Sequence, residues 1–310
     1  MSYRLGISEP LADSVRACAR EQLSGAVRQL EQPGKDPVTA VHEARKHLKK
    51  ARALLRLLRA QLGDDVYRRE NGALRDAAAR LSRTRDADVL VATVDGLADR
   101  AAGRLPEASF AALRDALRAE AAAGRGDGTA PDAAAVAQEL RAAQERVAGW
   151  PLDGAGWEPV VAGIARAYAR GVRERAAAEA EPTVEQLHEW RKRVKDLWYH
   201  HRLLKAVWPP VTKAYGEEAH LLSELLGDDH DLAVLRGRLE GGDGLPPEVA
   251  ADLGALLALV DRRRGELQGQ ARRLAARLYA ERPKAFERRV GTLVAAAVAD
   301  ARDEAPAAGA

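Results

Sequence analysis

Six residues between Val41 and Leu58 of this 310-residue chain could carry charge on one helical face: His42, Arg45, Lys46, Lys49, Arg52 and Arg56. At about 100° per residue the last five stand at roughly 300°, 40°, 340°, 280° and 320° from His42, a band about 120° wide. Val41, Ala44, Leu48, Ala51, Leu55 and Leu58 fall opposite, so one face packs into a core while the other offers cations. Charges spaced ~5–6 Å apart repel one another unless an anion sits among them. The chemistry such a face can do is to hold phosphate, with Arg forking onto two oxygens, Lys acting as a point charge and the helix N-terminus adding N–H donors.

The stretch returns 146 residues later: VHEARKHLKKARALLRLL, 41–58, lines up with LHEWRKRVKDLWYHHRLL, 187–204. His188, Arg191, Lys192, Lys195 and Arg202 repeat the band, whereas Trp198 and Tyr199 stand in the places of Arg52 and Ala53. A single basic helix reads as a solvated face paired with acids on its neighbours. Two copies with the same His-Glu-x-Arg-Lys-x-apolar-Lys order are hard to obtain from solvation alone, and they point to one site built from two halves. A groove lined by both suits a linear polyanion better than a small phosphate ester, and binding there is driven by counterion release, as with nucleic acids.

The formal net charge is only +3, from 49 Lys and Arg against 46 Asp and Glu, which excludes a strong pull on polyanions by the whole protein. The information lies in the distribution. Between His42 and Arg59 seven Lys or Arg face one acid, Glu43, and between His188 and Lys205 six face Glu189 and Asp196. Basic helices alone also allow a nucleic-acid-binding protein, but few aromatics, the small net charge and the lack of a groove-reading motif make that reading the weaker.

The composition is helical: 46% hydrophobic, dominated by Ala and Leu, with little β-branched or aromatic content. No segment sustains period-2 alternation, so the fold class expected is all-α. An amphipathic helix runs from Pro10 to Pro33-Gly34, the first basic helix from Pro37 to near Gly63 with Thr39 as a cap, and a third from Asp65 to Ser82. A fourth starts around Arg85–Asp88, a fifth at Pro106, and Asp132–Ala148 forms another. Residues 157–180 align with 11–34, pairing Arg20 with Arg166. After the second basic helix come Val211–Leu226, then a turn at GDDHDLAVL answering RTRDADVL, one long helix over 246–281, and a last from Pro283. The organisation expected is one domain of two similar four-helix bundles, 8–123 and 157–303, joined by a linker with a helix, 124–156, and related by a pseudo-twofold axis around a basic groove or pore.

Other chemistries fare poorly. His42 and His47, five apart, stand about 140° around the helix and so do not form a His-Glu-x-x-His zinc pair. Asp228, Asp229, His230 and Asp231 sit at the expected turn, where Asp caps a helix, and Asp86 and Asp231 are expected to cap helices or orient basic residues. No Walker loop, nucleophile elbow or dinucleotide turn occurs, so no metal and no cofactor is expected. His42 and His188, beside many cations, should titrate below the ordinary imidazole and be raised again by a bound polyanion. The single cysteine, Cys18, fits a reducing compartment, and with no leader pattern or long apolar run the expectation is a soluble, cytoplasmic protein.

With its two H-E-x-[RK]-[RK] helices and two D-x-x-V-L turns, the chain resembles the CHAD family, the conserved histidine α-helical domain, over about residues 8–303. The resemblance implies two four-helix bundles around a basic central pore, binding of inorganic polyphosphate without established catalytic activity, and association with polyphosphate granules. It places the family's characteristic histidines on His42 and His188. Its basic positions fall on Arg45, Lys46, Lys49, Arg52, Arg191, Lys192, Lys195 and Arg202, with Arg20 and Arg166 as further ones. Some relatives carry a fused CYTH triphosphatase-like domain; no strand-rich segment or Glu-x-Glu-x-Lys motif is present here. A polyphosphate-metabolising accessory role is the other alternative. Trp198, where the first band has a cation, marks unequal halves.

Overall fold

The computed structural model describes residues 3–34, 36–81, 86–101, 103, 105–126, 133–242 and 244–304, without the side chains of 86–88, 121 and 123–126. Among them the regular structure is helical throughout: α1 (Leu11–Glu31), α2 (Pro37–Leu57), α3 (Arg59–Arg80), α4 (Asp86–Arg100), α5 (Glu107–Gly126), α6 (Ala133–Arg146), α7 (Glu158–Ala180), α8 (Val184–Leu203), α9 (Pro209–Glu240), α10 (Pro247–Ala251), α11 (Leu253–Leu278) and α12 (Pro283–Asp303). Single 3₁₀ turns follow α6 and α8.

The two basic helices start in the way their sequences dictate. Pro37 occupies the first turn of α2, where its missing N–H costs nothing, and Asp36 is the cap: its carboxylate accepts from the N–H groups of Val38 at 3.0 Å and Thr39 at 3.2 Å. Thr39, expected as the cap, instead donates its hydroxyl to Asp36 at 2.5 Å. In α8 the Thr183 hydroxyl accepts from the Gln186 N–H at 3.2 Å. α2 ends at Leu57, and Gly63, at φ 76°, breaks α3 near its start.

Two elements differ from the sequence-based expectation. GDDHDLAVL is not a turn: α9 runs unbroken from Pro209 to Glu240, and Asp228–Asp231 lie inside it. Gly227 has a packing reason instead, since a Cβ there would come 2.6 Å from a guanidinium nitrogen of Arg191. Residues 246–281 form two helices rather than one, broken at Asp252, whose carboxylate accepts the Ser109 hydroxyl at 2.5 Å. Arg85 and the Asp86 side chain lie outside the described residues; Asp86 is the first residue of α4.

α1 packs against α2 and α6, α2 against α3, α7 against α8 and α12, and α9 against α8 and α11. α6, placed in a linker segment by sequence, therefore joins α1 and α3. One core runs through these helices, with Leu48, Leu54, Leu55, Leu57, Trp190, Tyr168 and Phe286 essentially inaccessible. At about 25 cal/mol per Å² of apolar surface, each such side chain contributes roughly 1.5–3 kcal/mol. A second core joins α4 and α5 (Val94, Leu97, Phe110, Leu113) to α9, α10 and α11 (Leu235, Leu239, Val249, Leu256). α7 lies directly on the end of α2: a Cβ on Gly163 would stand 2.0 Å from the Leu57 carbonyl oxygen, so only glycine lets the helices approach.

Candidate functional site

α2 and α8 cross, and the crossing brings their basic faces to one cavity of about 620 Å³. α2 contributes His42, Glu43, Lys46, Lys49 and Lys50; α8 contributes Arg191, Lys195, Trp198, Tyr199 and Arg202. α9 closes the cavity with His220, Ser223, Glu224, Gly227, Asp228 and Asp231. The contact at the crossing is fixed by His200, which is buried and whose Nε2 lies 3.1 Å from the Ala53 carbonyl oxygen.

The local chemistry repeats along with the sequence. Lys46 donates to Glu43 at 2.6 Å and Lys192 to Glu189 at 2.5 Å, the same i,i+3 pair in each copy. Those lysines hold both carboxyls below the usual range. Lys50 is half-buried, and its burial together with the Arg202 charge pulls its ammonium below the ordinary lysine value. The Arg202 guanidinium carbon lies 5.4 Å from the Trp198 ring and 5.5 Å from that of Tyr3. Desolvation pushes the Asp228 carboxyl up, with Asp231 adding to the shift. Arg191 lies over Gly227 with its Nε buried and without a hydrogen-bond partner.

Several residues of the two bands are placed elsewhere. Arg52 turns to α3 and donates to the Asn71 side-chain oxygen at 3.1 Å. Arg56 pairs with the buried Asp196 at 2.6 Å, and Arg193 pairs with the other oxygen at 3.1 Å. Arg45 is half-buried on α2 and is not on the cavity wall. Lys192 is exposed beside Glu189. His188 packs against His230 of α9, ring centroids 4.6 Å apart, rather than lining the cavity. Its imidazole titrates below the ordinary value, first because it is buried and then because His230, Lys192 and Arg191 are near. Arg20 and Arg166 are exposed on α1 and α7, away from the wall.

Sequence reasoning missed Lys50, Tyr199 and the α9 wall. Lys50 stands at about 80° from His42, just beyond the band, and widening the band by one position finds it. Glu224, Asp228 and Asp231 follow i, i+4, i+7 spacing, a face visible only once the helix is read through Gly227. Among the described residues no group of three or more His, Cys, Asp or Glu side chains is placed to hold a metal ion, and no helix is long and apolar enough to cross a membrane.

Fold and cavity together define an all-helical protein in which two sequence-related helices and a third wall a space dense in ionisable groups. The chain belongs to the CHAD domain family, whose model matches residues 17–240. It is similar to the crystal structure of the CHAD domain from the plant Ricinus communis, with a TM-score of 0.60 and 17% identity over 91% of this chain and 95% of that one. At that identity the likeness concerns the fold. No curated protein matches the sequence.

Proposed function

We propose that this protein binds inorganic polyphosphate without catalysing its turnover, in the cavity between α2, α8 and α9. The observation that carries the reading is that helices 146 residues apart in sequence bring Lys46, Lys49 and Lys50 together with Arg191, Lys195 and Arg202 on one wall. At 1.5 Å per residue the cations span roughly 6 Å along α2 and 16 Å along α8, a line suited to several consecutive phosphates rather than one. Lys supplies point charges, Arg191 a buried Nε in want of an acceptor, and His42 a further contact at the start of the line. In this reading the two repeats, 8–123 and 157–303, meet at the cavity through their basic helices, α2 and α8. The protein acts in the cytoplasm, where it associates with polyphosphate granules.

Titration with long-chain polyphosphate at about 50 mM and about 200 mM salt tests the reading, because counterion release predicts affinity falling by orders of magnitude across that range. Binding absent at low salt, or unchanged when Lys46, Lys49, Arg191 and Lys195 are replaced together, overturns it. A DNA or RNA competitor in the same titration distinguishes a nucleic-acid site, which would be displaced by the competitor at equal phosphate concentration.

A further inference from the structure

Lys50 of α2 and Arg202 of α8 are like charges on the wall of the cation-lined cavity. At the 146-residue offset their places are taken by Asp196 and Arg56, which pair at 2.6 Å. Lys50 and Arg202 have no such relief. Among the described residues neither forms an ion pair, and the Arg202 charge adds to burial in pulling the Lys50 ammonium below its ordinary value.

What lies against both is an aromatic ring from the segment that precedes α1. The Tyr3 ring centroid is 5.5 Å from the Arg202 guanidinium carbon and 6.0 Å from the Lys50 Nζ, and the residue is 6% exposed. The ring stands edge-on to that of Tyr199, a residue of the cavity wall, with centroids 6.0 Å apart. Its place is fixed from three sides. The Tyr3 hydroxyl donates to the carbonyl of Lys50 itself at 2.9 Å, and the Leu5 N–H donates to the Leu203 carbonyl, next to Arg202, at 2.8 Å. The Gly6 N–H donates to the Ser14 hydroxyl of α1 at 2.7 Å, and Leu5 is fully buried. Residues 3–6 thus form a strap tied to α1, α2 and α8.

A ring and a carboxylate do different things to a cation. Asp196 neutralises Arg56, whereas the negative face of an aromatic ring stabilises a cation and leaves its charge available to an anion. Burial pushes the Tyr3 hydroxyl well above its ordinary value, so it stays uncharged near pH 7 and does not become a counter-anion.

We propose that Tyr3 is a positioning residue of the anion site, its ring holding Lys50 and Arg202 side by side and both charged on the cavity wall. The proposal rests on the polyphosphate reading for the identity of the occupant, but the contact between ring and cations does not.

Titration of long-chain polyphosphate over a series of salt concentrations, into the unaltered protein, Tyr3→Phe and Tyr3→Leu, tests it. Tyr3→Phe keeps the ring and loses the hydroxyl bond, so affinity should stay within about twofold even where the thermal midpoint falls. Tyr3→Leu keeps an apolar side chain and loses the ring face, so affinity should drop about fivefold or more and the slope of log affinity against log salt should become shallower by about one. A residue with a purely structural role would lower affinity in step with the midpoint in both variants and leave the slope unchanged, and that result overturns the proposal. A second measurement is independent of the occupant: the ε-methylene protons of Lys50, assigned by their loss in Lys50→Arg, should be shifted upfield by the ring in the unaltered protein and in Tyr3→Phe but not in Tyr3→Leu. Polyphosphate that fails to bind the unaltered protein counts against the occupant alone, and the Lys50 signal then decides for Tyr3. An unshifted signal in the unaltered protein overturns the proposal.

Discussion

Arg56 and Asp196 form an ion pair across the crossing of α2 and α8, Nε to Oδ1 at 2.6 Å, with the carboxylate side chain only 8% exposed. At the 146-residue offset their counterparts are Arg202 and Lys50, two cations on the cavity wall that lower the cost of an incoming anion. The same contact is thus neutralised in one copy and left positive in the other. Arg56, equivalent by sequence to Arg202, has become part of the scaffold.

Arg56→Met should therefore cost about 1–3 kcal/mol of stability, because Asp196 keeps only Arg193, while polyphosphate affinity changes less than about twofold. Arg202→Met should do the reverse, costing about 1 kcal/mol or less of stability and weakening binding by about fivefold or more. Urea unfolding and polyphosphate titration of the two variants measure both quantities.

Gly227→Ala places a methyl group where the Arg191 guanidinium now rests. The flexible arginine can move, and alanine favours the helix by up to about 1 kcal/mol, so the thermal midpoint should hold or rise. Polyphosphate affinity should nonetheless fall severalfold, because Arg191 leaves the wall. A titration beside a thermal melt shows whether the two effects separate in this way.

At Gly163 the obstacle is backbone rather than a side chain: the Leu57 carbonyl oxygen would lie 2.0 Å from the new Cβ. Gly163→Ala should destabilise the fold by about 3 kcal/mol or more, since α7 must retreat from α2. The denaturant midpoint reads this directly, and a midpoint equal to that of the unaltered protein would show that the helices do not meet here.

Stability should decline in acid through two histidines outside the cavity chemistry. Burial pushes His200 down to about 4 and His201 down to about 3. Unfolded histidine titrates near 6.5, so below that pH the unfolded chain takes up protons that the folded one refuses. Stability is full above about pH 6.5 and falls as pH drops toward 4, by on the order of 3 kcal/mol for His200. Urea midpoints measured at about pH 7.5 and about pH 4.5 should differ in that direction, and His200→Gln should flatten the difference.

The helical class, the starts of both basic helices and the amphipathic split of α2 are legible because they depend on local spacing: Leu48 and Leu55 are buried, and Lys46 and Lys49 reach the cavity. Which cations reach the cavity is a question of tertiary packing, and sequence periodicity is blind to it. Arg52 and Arg56 share the angular band of Lys49, yet Asn71 and Asp196 engage them. Gly227 followed by three acids reads as a turn because glycine usually breaks helices. Its real reason, room for Arg191, lies on a helix thirty-odd residues away. The helix at α6 is legible in the sequence, but its place is not: the Gly-rich stretch before it marks a boundary without saying that the next helix packs back on α1.

The claim that two distant helices make one site is tested most directly by titrating long-chain polyphosphate into Lys49→Ala, Lys195→Ala and the double variant at low salt. A single binding transition is expected in the unaltered protein, weakened severalfold by either substitution alone and further by both. Two independent transitions, with each substitution removing one and sparing the other, would contradict it.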